Sequence, residues 1–393
     1  MAQRPVAQRP AAERIAETVT APANSDGTNP DGTTPTGEGR GQPKFRERKD
    51  GAAIPLDERD KQLLNALQSD FKLTPRPFDE LAQQLDEPVD WVLTRSQELL
   101  DNRIIRELTP IFDTRALGYD SMLVAASVDA ENPQRAAAII NEHPGVSHNY
   151  LRNHKFNLWF TIATPPDSKF GLKGTLDILA RESGATSVRQ LPTLKLFKIN
   201  MNLEMEKGTE ALAAPGGESK ERPLGSAVLT DMDYAVIKHL QGPMQIIDQP
   251  YKSAADAIGI DVEQLLAHLE GMVERGLLRR VAAILFHRRA GFSANGMGVW
   301  NVPADKIETI GPEMAAFRGI SHCYQRPTYE DWPYSVFTMA HGRSKQECDA
   351  ILDEIAEQTG VHDRSTLYSS TEYKKIRLRY FTPDYAEWEA RWR

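Results

Sequence analysis

Cysteine is almost missing from this chain. Two thiols, Cys323 and Cys348, among 393 residues are too few for a disulfide framework or a cysteine-based metal site, which fits a reducing compartment. Long apolar runs are missing as well. No stretch approaches the ~20 apolar residues that cross a bilayer, and no apolar signal region opens the chain, so a cytoplasmic protein with no membrane partner is expected. Positive charge is in deficit: 47 Lys and Arg stand against 55 Asp and Glu, a formal net charge of -8. A general nucleic-acid binder normally carries the opposite imbalance. Large apolar side chains are scarce over residues 1–53, which include TNPDGTTPTGEGRGQPKFRERKDG. Such a segment buries too little surface to offset its chain entropy, which predicts a disordered tail. The segment 208–226, with GTEALAAPGGESKERPLG, has linker composition.

What is abundant is self-similarity. DERDKQLLNALQ (57–68) lies over TDMDYAVIKHLQ (230–241), and LLDNRIIREL (99–108) over MVERGLLRRV (272–281). Leu117-Gly118-Tyr119 lies over Ala290-Gly291-Phe292, and GVSHNYLR (145–152) over GISHCYQR (319–326). NLWFT (157–161) matches YSVFT (334–338) after a short insertion in the second copy. One nearly constant offset across separated blocks marks a tandem duplication.

Each copy opens with helical periodicity. Leu63, Leu64 and Leu67 recur at helix spacing, Phe78, Leu81, Ala82 and Leu85 follow, and Trp91 to Leu100 forms a third pattern after the Glu87-Pro88 break. This is a helix-turn-helix, with Arg103–Leu108 as its wing or exit strand. The rest alternates: strand 121–128, helix 133–141, strands 145–152 and 157–163, helix 170–183 and strand 187–199. The order βαββαβ is the ferredoxin-like plan. The expected fold class is therefore α+β: a duplicated winged helix-turn-helix plus ferredoxin-like module of Lrp/AsnC type. The expected division is 54–107 and 227–280 for the helix-turn-helix parts, with 108–207 and 281–393 for the ferredoxin-like parts, joined as an internal pseudo-dimer. Further dimerisation of the chain is left open.

That layout is commonest in transcription regulators, but the charges oppose DNA. A DNA-reading helix needs cationic or amide side chains on its outer face. The third helix of the first copy sets Asp90, Glu98 and Asp101 against Arg95. Asp261, Glu263, Glu270 and Glu274 in the second copy meet no cation until Arg275. Regulators of this type also form symmetric homodimers, whereas the copies here have diverged. No nucleic-acid partner is expected.

Polar clusters recur at matched places. One is Asp113-Thr114-Arg115, with His287-Arg288-Arg289 as its counterpart. The other is His148, Tyr150 and Arg152, matched by His322, Tyr324 and Arg326, with His154 and Lys155 extending the first. On a strand each trio shares one face, because side chains alternate. Arginine forks bind carboxylates, histidine ligates iron or moves protons, and tyrosine donates a hydrogen bond. A polycarboxylate carrying a metal would suit such a face. The plainer alternative has these histidines bonding nearby carbonyls and the arginines in surface ion pairs. Trp159, Trp300 and Trp332 are expected in cores or pocket walls. Asn295 is a minor site candidate, and Lys198 and Lys374 are read as matched lysines, solvated or reaching a carboxylate. Cys323 is a weaker candidate for an iron ligand.

The motifs GVSHNYLRNHKFNLWFT in one half, and RRVAAILFHRRAGFSANGMGVWNVP, GISHCYQRP and WPYSVFTMAHG in the other, resemble the siroheme decarboxylase family with its two subunits joined in one chain. The resemblance covers about 55–381. It implies loss of two acetate carboxyl groups of sirohaem as CO2, giving 12,18-didecarboxysirohaem for d1-type haem. It also implies that Arg115, Arg152, Lys155, Arg289, Arg326 and Asn295 hold the substrate. His148, His287, His322, Tyr150, Tyr324 and Arg288 would act on it, the substrate iron being ligated by His287 or His322. No cofactor beyond the iron tetrapyrrole is implied, and other haem-biosynthesis proteins are conceivable partners. Thr114 and Ala116 replace His287 and Arg289 in the first copy, which suggests a site concentrated in the second. A haem-responsive regulator and a tetrapyrrole carrier without turnover are the rival readings.

Overall fold

A computed structural model of the protein describes residues 56–69, 71–199, 228–286 and 294–392. The expected N-terminal tail and the linker lie outside these residues.

The first copy runs α1 (Glu58–Ser69), α2 (Pro77–Leu85), α3 (Val89–Asp101), β1 (Ile105–Phe112), β2 (Asp120–Ser127), α4 (Pro133–Asn141), β3 (Val146–Arg152), β4 (Leu158–Thr164), α5 (Gly171–Ser183), β5 (Ser187–Leu191) and β6 (Lys195–Ile199). The second repeats it with α6 (Asp231–Leu240), α7 (Lys252–Ile258), α8 (Val262–Glu274), β7 (Leu278–Leu285), β8 (Ala294–Trp300), α9 (Ile307–Ala316), β9 (Ile320–Gln325), β10 (Val336–Gly342), α10 (Lys345–Thr359) and β11 (Arg364–Lys375), followed by α11 (Asp384–Glu389). Local chemistry starts and stops these helices. Capping boxes at Thr230/Asp233 and Asp261/Gln264 open α6 and α8. The matched glycines Gly184 and Gly360 close α5 and α10 in the left-handed conformation, φ 71° and 68°.

The helix-turn-helix parts do not stand apart. Leu63, Leu67, Phe78 and Leu99 share one core with Ile237, Leu265, Leu269 and Met272. The exit strands β1 and β7 pair antiparallel between them, Pro110 opposite Val281.

The other strands form one nine-stranded sheet in the order β5-β2-β4-β3-β11-β8-β10-β9-β6. Its two halves repeat one order, and each half lends its last strand to the other. β11 pairs with β8 through Arg364–Tyr368 and then with β3 through Ser369–Lys375, while β6 pairs with β9. The expected single strand 187–199 is therefore two strands. Pro192 cannot donate to a ladder, and it breaks the run where the chain leaves β2 for the second half. Because 192–194 alone join β5 to β6, at opposite ends of the sheet, the sheet must curl until its ends meet.

Helices cover the outside of that curl, α4 and α5 over Val124, Val146 and Phe160, α9 and α10 over Trp300, Ile320 and Val336. The inward faces of both halves meet in a separate cluster holding Phe156, Trp159, Leu191, Met297, Val299, Phe337 and Leu367. The second-copy insertion plugs it: Trp332 is fully buried there, its ring centroid 5.3 Å from that of Trp159. Arg189 holds the insertion with a fork on Asp331, both bonds 2.9 Å. Trp159, Trp300 and Trp332 are all core residues, as expected.

Candidate active site

The alternation of β3 and β9 sorts the repeated motif. Asn149 and Cys323 face the helices, Asn149 Nδ2 donating to Asn141 Oδ1 at 2.9 Å and Cys323 Sγ to the Gly311 carbonyl at 3.6 Å. His148, Tyr150 and Arg152, and likewise His322, Tyr324 and Arg326, take the opposite, inward face. The structure thus brings each predicted trio together. Cys323 is fully buried away from it, and burial pushes its thiol far up, so it is no candidate for an iron ligand.

Both strands bulge at the same serine. Val146 and His148 pair with Ile162 and Thr161, and Ile320 and His322 with Ala340 and Met339, so Ser147 and Ser321 are the extra residues. The bulge turns each hydroxyl onto its neighbouring imidazole. Ser147 Oγ lies 3.0 Å from His148 Nδ1 and 2.8 Å from Thr161 Oγ1. Ser321 Oγ lies 2.7 Å from His322 Nδ1 and 2.6 Å from His341 Nε2. A hydroxyl donates once, so one of those two ring nitrogens must carry the proton. The second half therefore links two imidazoles through a hydroxyl where the first half has a threonine.

The arginines end each trio in matching ways. Arg152 Nη1 donates to the Leu367 carbonyl at 2.8 Å, and Arg326 Nη1 to that of Leu191, each acceptor belonging to the other half. Their Nε atoms are buried with no hydrogen-bond partner among the described residues. Among the described residues, no acidic side chain pairs with either. Burial lowers both guanidiniums to about 10. Aromatic faces provide partial compensation, Arg326 Cζ lying 4.8 Å from the Tyr324 ring centroid and Arg152 Cζ 5.9 Å from that of Trp159.

Further cations converge on the second-half face. Burial raises the Tyr324 phenol, opposed by the charges of Arg326, Arg279 and Arg115. Arg279 is fixed by Asp113, whose Oδ2 accepts from Nε at 3.0 Å, and Asp113 Oδ1 also accepts from the Arg115 backbone at 3.1 Å. Arg115 belongs to the first copy, so this face draws its charges from both. On the first-half face, burial and the charges of Lys375 and Arg106 lower His148 to about 4.

Other expectations fare differently. Asn295 is exposed on the inward face of β8, opposite His341. Lys155 sits exposed in the turn after β3, its Nζ 5.5 Å from the Phe156 ring centroid, outside the row of His148. Lys198 and Lys374 are neither solvated nor aimed at a ligand. Lys198 Nζ donates to the Phe317 carbonyl at 2.9 Å and Lys374 Nζ to that of Asn141 at 2.7 Å, each just beyond or at the C-terminus of a helix. His287, Arg288 and Arg289 lie outside the described residues. Sequence reasoning passed over Ser147, Ser321, His341 and the matched pair Arg106 and Arg279. The repeated Ser-His of GVSH and GISH was the available signal for the serines, and the matched arginines of RIIREL and GLLRRV for the cations.

Comparison with known proteins bears on the family and the fold. A family model described as AsnC-like ligand binding domain matches residues 116–198 and 289–374, and one described as Siroheme decarboxylase NirDL-like HTH domain matches 60–106. The siroheme decarboxylase of Hydrogenobacter thermophilus is 36% identical over 327 residues, 83% of this chain and 96% of that one. A crystal structure of the siroheme decarboxylase NirDL superposes with a TM-score of 0.68 at 33% identity, covering 85% of this chain and 98% of that one. A second, in co-complex with an iron-uroporphyrin III analogue, gives 0.67 at 32% identity, covering 84% and 97%. With relatives this similar along nearly their whole length, the chain belongs to the siroheme decarboxylase family.

Proposed function

We propose that this protein decarboxylates sirohaem, removing two acetate carboxyl groups as CO2 to give 12,18-didecarboxysirohaem on the route to d1-type haem. The observation that carries the reading is Arg326: a guanidinium only 9% exposed, with no acidic partner among the described residues, beside two imidazoles joined through Ser321. A buried cation without a counter-charge is costly, and a substrate carboxylate would supply the missing anion. The co-complexed relative holds an iron tetrapyrrole analogue, a ligand of the same class.

In this reading the helix-turn-helix parts (54–107 and 227–280) are scaffold, and the ferredoxin-like parts (108–207 and 281–393) carry the site. Arg326, Arg115 and Arg279 hold rim carboxylates, with Asn295 at the margin. His287, Arg288 and Arg289 remain candidates from the sequence. Cleavage of the bond between an acetate CH2 and its carboxylate leaves an electron pair on carbon, which the conjugated macrocycle can delocalise. One proton must then reach that carbon to complete the methyl group. His322, coupled through Ser321 to His341, would hold and deliver it. Tyr324, its phenol raised by burial, stays protonated and would donate its hydrogen bond to the substrate. His148, Tyr150 and Arg152 form the duplicated counterpart. The substrate ring serves as its own electron sink, so no separate cofactor is invoked. Action in the cytoplasm, without nucleic acid, completes the proposal.

Mass spectrometry of sirohaem incubated with the pure protein tests this. The expected product is lighter by two CO2, whereas sirohaem bound but recovered unchanged would leave a carrier and overturn the enzyme.

A further inference from the structure

The two inward faces share their imidazole, phenol and guanidinium but differ in the strand each borrows. On β6, Leu196 pairs with Tyr324 and Ile199 with His322. On β11 the same register sets Glu372 against Tyr150 and Lys375 against His148. Both borrowed strands bulge at the same place, and Lys198 and Lys374 turn to helix ends in both. LFKI (196–199) and EYKK (372–375) are therefore equivalent segments, and only their site-facing residues have changed character.

Leu196 and Ile199 are 40% and 38% exposed, although directly opposed residues on antiparallel strands point to the same side. They extend the second-half face as an apolar ledge beside Tyr324 and His322. A tetrapyrrole has a flat apolar face and an anionic rim, so it asks for an apolar seat bordered by cations. Arg326, Arg115 and Arg279 border this one. The first-half face offers a carboxylate and an ammonium where the ring would lie. Glu372 would repel the substrate rim, and covering either charge with the macrocycle would strip its water without a built partner.

Resting on the reading above, we infer that Leu196 and Ile199 are the residues that select the second-half face for the macrocycle. They seat the ring, and Glu372 and Lys375 exclude it from the duplicated face. The first-half strand β6 thus completes a site whose imidazoles lie in the second half.

Titration of the full-length protein with sirohaem, followed by the absorption of the ring, tests this. L196E/I199K, which transplants the first-half pattern, is expected to bind at least about tenfold more weakly than the unaltered protein, from lost apolar contact and added charge. L196A/I199A is expected to weaken binding severalfold in the same direction. E372L/K375I is expected to keep the second-half affinity within about twofold and to take up a second equivalent of sirohaem on the freed first-half face, whereas one equivalent only would overturn the exclusion by Glu372 and Lys375. Thermal melting of each empty variant controls for folding, and L196A/I199A keeps the test open if the charged variant fails to fold. Equal affinity in L196A/I199A and the unaltered protein overturns the inference, as does a loss confined to E372L/K375I. If the unaltered protein takes up no sirohaem, the proposed function falls with it. If it binds and turns over sirohaem while the β6 variants match it, this inference alone falls.

Discussion

Ser321 Oγ lies 2.7 Å from Nδ1 of His322, held there by a bulge that the duplicated strand repeats at Ser147. The hydroxyl fixes the imidazole's orientation and links it to His341, 2.6 Å away. Ser321 is thus a positioning residue. Ser321→Ala is expected to lower kcat roughly tenfold or more while KM stays within about twofold. The acid limb of the pH–rate profile should also move, because the coupling to His341 is cut. Ser147→Ala, opposite a threonine rather than a histidine, should change kcat less than about threefold. Equal losses in both variants would put the serines in a purely structural role.

Arg326 is expected to oppose stability while serving binding. Its hydrogen bond to the Leu191 carbonyl contributes about 1 kcal/mol, whereas burying a charge with no anion costs several kcal/mol. The second effect is larger. Arg326→Met, similar in length and without the charge, should melt no lower than the unaltered empty protein and should bind sirohaem at least about tenfold more weakly. A fall in melting temperature in the empty protein would mean that the guanidinium is chiefly a clamp on β5.

Much of this was legible in the sequence. The repeat, the βαββαβ order and the shared face of His322, Tyr324 and Arg326 all follow from periodicity, which is a local property. Partner choice is not local. Nothing in KLFKI says that it will lie beside β9, since any alternating strand pairs equally well until the whole sheet closes. Lys198 and Lys374 therefore read from the sequence as solvated or as reaching a carboxylate, whereas the borrowed strands bring them to helix ends. Bulges escape for the same reason: the role of Ser321 depends on the register of a neighbour 20 residues away, as its contact with His341 makes plain. Pro192 was the one local mark of the switch between β5 and β6.

The histidines predict the response to acid. Burial holds His143 down to about 3, aided by Lys374, and His148 at about 4, aided by Lys375 and Arg106, against an ordinary 6.5. His143 is 2% exposed and its Nδ1 accepts from the Gly145 amide at 3.0 Å. Between the folded values and 6.5 the unfolded chain binds protons that the folded protein does not, so stability falls as pH falls through that window. The slope is at most about 1.4 kcal/mol per pH unit for each histidine. Chemical denaturation from pH 6.5 to 5, where most carboxylates stay ionised, should show this loss. His148→Gln should flatten it, and an unchanged slope in that variant would remove His148 from the account.

The third-helix cations are committed to the fold rather than to DNA. Arg95 forks onto the buried Asp60 at 2.6 and 2.7 Å, and at the matching position of the second half His268 Nε2 meets the buried Asp233 at 2.9 Å. Arg275 also pairs with Asp233, which accepts from the Thr230 amide at 2.8 Å as well. These donors hold the Asp233 carboxyl well below its usual range despite burial. An open cleft of about 870 Å³ on the first helix-turn-helix is lined by Asp79, Asp86, Glu87, Asp90 and Asp248 around Arg76, a wall that phosphates would avoid. Asp233→Ala removes the shared acceptor and the side-chain half of the capping box together, leaving the Thr230 cap in place, and should cost about 3–5 kcal/mol by denaturant titration. Arg275→Ala should cost much less, because Arg275 is 35% exposed and His268 still pairs with Asp233. In mobility-shift titrations the unaltered protein should give no band whose strength falls with salt. A salt-dependent complex would return the regulator reading to contention.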